Sequence, residues 1–138
     1  MNSKSIDQRV LLSYLWIFAT LNYLYCDVLG LMDPGLLKQY LSGTVNGMEM
    51  TPAFLLSGAI LMQIPIAMVL ISRFGKYHFN RWANIVAGLI KTFTMILTMF
   101  VGVPTMYYIF FGTIEILTTA FIVWYAWKWK VSHETNVK

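Results

Sequence analysis

Charged residues are scarce, at 12% of the 138-residue chain, about half the share usual in a soluble domain. The single cysteine, Cys26, excludes an internal disulfide. The two histidines, His78 and His133, both fall in basic segments and offer no metal-ligand spacing, so neither metal nor cofactor is expected. A glycine-rich phosphate loop and a nucleophile elbow are both missing. The net charge of +4 is not laid out as a stripe of basic residues with interleaved aromatics, which excludes nucleic acid as a partner. The basic residues cluster instead at the ends of apolar runs.

Apolar residues are abundant, at 58%. A globule of this size could not hide so much apolar surface from water, so the expected solvent is a lipid bilayer. Four runs are long enough to cross a hydrocarbon core, which takes about 20 residues of helix. They are placed at 10–31, 52–72, 82–103 and 105–127. The first follows Lys4 and Arg9, as a secretory signal would, yet it continues past Cys26 without a small-x-small cleavage site and is read as retained. Thr51-Pro52 is a helix start, a capping hydroxyl followed by proline in the first turn. Asp33-Pro34 opens a shorter amphipathic segment, 33–41, expected to lie at the interface. Gly102-Val-Pro104 makes a tight turn between the last two spans. The expected fold is all-α, a transmembrane four-helix bundle with a short interfacial helix in the first outer loop, forming a single domain over 1–138.

Lys4, Arg9, Arg73, Lys76, Arg81, Lys128, Lys130 and Lys138 fall on one side of this arrangement, with Lys38 alone on the other. The positive-inside rule puts that side in the cytoplasm, both termini included, for a multi-pass protein of the cytoplasmic (plasma) membrane. Trp16, Trp82, Trp124, Trp127 and Trp129 are assigned to the cytoplasmic half, four of them close to the boundary, and Tyr40, Tyr107 and Tyr108 to the outer boundary, as aromatic belts.

Polar residues inside spans are costly and therefore informative. The first span carries Asn22 and Asp27, the second Gln63, the third Asn84 and Lys91, the fourth Glu115. Asn22, Gln63, Lys91 and Glu115 all fall about 14–18 Å from the cytoplasmic edge at ~1.5 Å of rise per residue. Helical spacing groups Asn84, Gly88, Lys91, Met95, Thr98 and Gly102 on one face, and Tyr108, Gly112, Glu115 and Thr119 on another. In the first span Ala19, Asn22 and Cys26 share one face, and Thr20, Tyr23, Asp27 and Gly30 share the next. Lys91 and Glu115 are expected to pair, since each alone would cost ~2.5–3.5 kcal/mol at a helix centre. Pro65 is expected to kink the second span beside Gln63, with room for a cavity there. Cys26 is read as packing, with no histidine at its depth to activate it.

The runs Leu21–Pro34, Asn80–Gly88 and Tyr107–Glu115 resemble a family of small four-span prokaryotic integral membrane proteins of unknown function, over nearly the whole chain. The resemblance implies a compact four-helix membrane fold and brings no catalytic or binding residues with it. Three functions stay open from the residues. The first is a small-molecule or ion binder or carrier using Asn22, Asp27, Gln63, Asn84, Lys91 and Glu115, working as a homo-oligomer. The second is a membrane-embedded enzyme on a lipid-like substrate, with Glu115 or Asp27 as acid/base. The third is an accessory subunit in which the buried pair serves assembly alone.

Overall fold

In a computed structural model describing residues 7–130, five helices and one small hairpin follow one another along the chain. Helix α1 (Gln8–Met32) starts where the Asp7 carboxylate accepts from the Arg9 amide at 3.0 Å. Helix α2 (Pro34–Ser42) is capped by Asp33, whose carboxylate accepts from the amides of Gly35 and Leu36, and ends at left-handed Gly43. Strands β1 (Thr44–Val45) and β2 (Met48–Glu49) pair antiparallel across Asn46-Gly47, both at positive φ. Helix α3 (Pro52–Phe74) opens on the Thr51 hydroxyl, which accepts from the Phe54 amide at 3.1 Å. Helices α4 (Tyr77–Met99) and α5 (Met106–Lys128) follow with connections of a few residues each. Lys4, His133 and Lys138 lie outside the described residues.

Helices α1, α3, α4 and α5 are each long and apolar enough to cross a membrane, and the chain is a multi-pass membrane protein. They alternate up and down, so α1 begins and α5 ends at one end of the bundle, while α2 and the hairpin lie at the other. Helix α1 packs on α3 and α5, and α4 packs on α5 and α3. Phe93, Phe110, Leu117 and Leu70 point outward and stay exposed, as side chains facing lipid do. The expected spans hold for α1, α3 and α5 to within a few residues. Helix α4 begins at Tyr77 rather than 82 and ends at Met99, because Asn80 and Tyr77 face inward and extend the packed stripe by a turn and a half.

Helices α4 and α5 approach closely. A Cβ on Gly88 would lie 2.6 Å from Val123 Cγ2 and 3.3 Å from the Thr119 carbonyl oxygen. Small residues at a seam let two helix backbones approach, which is how membrane helices gain packing when lipid is as apolar as they are. Gly112 plays the same part on α5 against Met95 and Met99. At the terminal end, Tyr77 donates to the Trp129 carbonyl at 2.7 Å and Arg81 to that of Trp127 at 2.9 Å.

Candidate functional site

The polar side chains inside the bundle form two groups, not the single slab expected from the sequence. One is closed. Trp16 Nε1 donates to Asn84 Oδ1 at 2.7 Å, and Ser72 Oγ donates to the same oxygen at 3.1 Å. Asn84 Nδ2 donates to the carbonyl and the side-chain oxygen of Asn80, and Asn80 Nδ2 donates to the Ser72 carbonyl at 2.7 Å. All four residues are fully buried. Asn84 is therefore corrected out of the mid-membrane layer. It lies seven residues into α4, about 10 Å from that helix's start, and its hydrogen bonds are spent on neighbours. Trp16 belongs to the core, and so does Trp129, which was expected in the belt.

The second group is open. Lys91 on α4, Glu115 on α5 and Tyr23 on α1 are 5%, 2% and 6% exposed. Counted from the terminal ends of their helices, they sit at about 20–23 Å of rise. The Lys91 ammonium stands 3.8 Å from the centroid of the Tyr23 ring, a cation–π contact. Its nearest conventional partner is the Met62 sulfur at 3.9 Å, a weak acceptor. The expected Lys91–Glu115 ion pair does not form within 4.0 Å, because the lysine leans across to α1 and α3 instead. The two still lie within electrostatic reach of each other and of Asp27. The Tyr23 hydroxyl is buried with no hydrogen-bond partner. Among the described residues the Glu115 carboxyl meets no donor, for the Thr119 hydroxyl bonds the Glu115 backbone carbonyl instead.

Three expected members of the layer take other positions. Asn22 is half-buried and donates to the Phe18 carbonyl of its own helix at 2.8 Å. Asp27 is exposed, five residues before the end of α1, at the hairpin end of the bundle. Gln63 is exposed on the outer face of α3. The cavity expected beside it gives way to packing, since α3 runs unbroken through Pro65 and it is Pro65 that faces inward, fully buried. Helical geometry explains the misplacement on α1. The inward stripe there is Ala19, Tyr23, Cys26 and Gly30, spaced by four, three and four. Either spacing alone keeps a residue near the face, and only their alternation follows the true ~3.6-residue repeat. That alternation, visible in the sequence, was the signal for Tyr23. For Met62 there was none, a methionine in an apolar run being unremarkable.

At the hairpin end Tyr40 and Tyr107 stand around the top of α1. Partial burial pushes the Tyr40 phenol above its ordinary pKa, with the nearby Asp27 charge adding to it. The Tyr107 hydroxyl is buried without a partner, 3.9 Å from where a Cβ on Gly30 would lie. Cys26, one turn beyond Tyr23, is a buried free thiol.

Lys91, Glu115 and Tyr23 thus come together, buried, from three helices of an apolar bundle. Residues 3–136 match the profile of a family described as a family of unknown function (DUF6326). No curated protein and no solved structure matches the chain. With all but a few terminal residues covered by that profile, the chain belongs to this family of unknown function.

Proposed function

We propose that the protein binds a small polar solute within the membrane, at the site formed by Lys91, Glu115 and Tyr23. The observation that carries this is the contrast between the two polar groups. Around Asn84 every polar side chain is answered, as structural networks in low dielectric are, because an unmade hydrogen bond there costs ~1–3 kcal/mol. Around Lys91, among the described residues, none of the three is answered by an oxygen or nitrogen of the protein. A layer serving assembly alone would close as the first does. The best-fitting ligand class is a small zwitterion, with a carboxylate for Lys91 and an ammonium for Glu115, passing Asp27 on entry. This reading keeps the end at which α1 begins and α5 ends in the cytoplasm, on the strength of its lysines and arginines.

The test is thermal stabilisation of the purified protein in detergent by three probe classes at millimolar concentration: amino acids, simple carboxylates and primary amines. Amino acids should stabilise the wild type most, and Lys91→Met and Glu115→Gln should each abolish the effect while still folding. Stabilisation by none of the three classes, or stabilisation that survives both substitutions, rejects the proposal.

A further inference from the structure

Helix α3 is only partly used by the bundle. Its buried residues are Pro65, Met68 and Ser72, all in the second half, and every residue from Pro52 to Ile60 is exposed. For most of that surface lipid is a sufficient neighbour. Gln63 is the exception. It lies at the middle of α3, eleven residues from each end, on an outward stripe with Leu56, Ile60, Ile66, Leu70 and Phe74, all exposed.

Several outward polar groups nearer the middle of the spans bond back to their own helix. The Ser57 hydroxyl donates to the Phe54 carbonyl, and that of Thr113 to the Ile109 carbonyl. Asn22 donates to Phe18. The Gln63 amide makes no such bond among the described residues, although it has two donor hydrogens and an acceptor oxygen. Hydrocarbon cannot meet those groups, and at mid-membrane water does not. What completes them must come from another helix.

We infer that the outer face of α3 is the contact between two copies of this chain, joined by reciprocal hydrogen bonds between their Gln63 side chains. An amide is its own complement, since the oxygen of one accepts from the nitrogen of the other. A two-fold axis through the stripe therefore satisfies both at once. The residues beside Gln63 allow the approach. Ala59, one turn away on the same face, is small and exposed. The proposal uses none of the residues of the ligand site.

The experiment is disulfide cross-linking in liposomes, with Cys26→Ala removing the one native thiol. Gln63→Cys should cross-link two copies under mild oxidation. Leu117→Cys, equally mid-helix and exposed on α5, should not. In parallel, energy transfer between labelled copies, diluted with lipid, reads the dimer equilibrium directly. Gln63→Leu should weaken it roughly tenfold, with folding and solute stabilisation unchanged because Gln63 bonds nothing among the described residues of its own chain. A wild type that stays monomeric at high protein-to-lipid ratio overturns the inference. So does a dimer that Gln63→Leu leaves intact, or cross-linking as strong at Leu117→Cys. Cross-linking of Gln63→Cys to a different membrane protein while the chain itself stays monomeric would also overturn it, and would assign the face to that partner.

Discussion

Removing the side-chain amide of Asn84 would strand several groups at once, namely the Trp16 indole N–H, the Ser72 hydroxyl and the Asn80 oxygens. Each sits where neither water nor lipid can replace the lost partner. Asn84→Leu should therefore destabilise the protein by about 2–4 kcal/mol, as the sum of several orphaned groups, read from unfolding in mixed micelles. Asn22→Leu should cost next to nothing, since its bond returns to its own helix. Lys91 carries the opposite sign. Its ammonium is buried without an oxygen acceptor, so Lys91→Met should raise stability by roughly 1–3 kcal/mol, as replacing buried charge by matched apolar volume often does. A stabilised but non-binding variant is the mark of a residue kept for a ligand. A destabilised Lys91→Met would say that the Tyr23 contact holds the bundle together. Six polar residues of the spans were legible in the sequence by type, and Asn84, Lys91 and Glu115 are buried as that reading had them, whereas Asn22, Asp27 and Gln63 are not. The direction of those three was not legible, because depth follows from counting whereas direction depends on which ~100° arc of each helix meets a neighbour.

For the helices, the seam between α4 and α5 is set by Gly88 and Gly112. Both stood out in the sequence as small residues on the Lys91 and Glu115 faces, and both prove to be contact points. Gly88→Ala should push Val123 aside at a cost of about 1–3 kcal/mol from overpacking, and Val123→Ala should recover most of that in the double variant. Additive losses in this cycle would place the strain elsewhere. Helix α3 was the least legible span. Its apolar run is nearly uniform, so no periodicity told its inner face from its outer one, and Gln63 was assigned inward by its polarity alone. The Asn46-Gly47 turn carried the strongest short-range hairpin signal in the chain, because both residues can take positive φ. It was overlooked between two helix starts, where strands of two residues leave no alternation to read.

Across the whole molecule, helix number, order and alternation were legible because span length is imposed by the bilayer rather than by packing. What the bundle adds is an asymmetry of the site along the membrane normal. Lys91 lies fourteen residues from the start of α4 at Tyr77 but eight from its end at Met99, or about 21 Å against about 12 Å. Exposed Asp27 stands on the nearer, hairpin side. Orientation therefore decides from which compartment a solute arrives. Arg73, Lys76, Arg81, Lys128 and Lys130 gather at the far end, whereas the hairpin end has Lys38 alone. The far end should then face the cytoplasm, and the site should open outward. In a Cys26→Ala background, Thr44→Cys beside the hairpin should react with a membrane-impermeant maleimide on intact cells. His78→Cys, at the start of α4, should react only after permeabilisation. The reverse pattern would turn the molecule over and make the site an inward-facing one. Labelling of both positions on intact cells would mean that the chain inserts in two orientations, and an antiparallel pair of copies could then also meet through Gln63 at its mid-helix position.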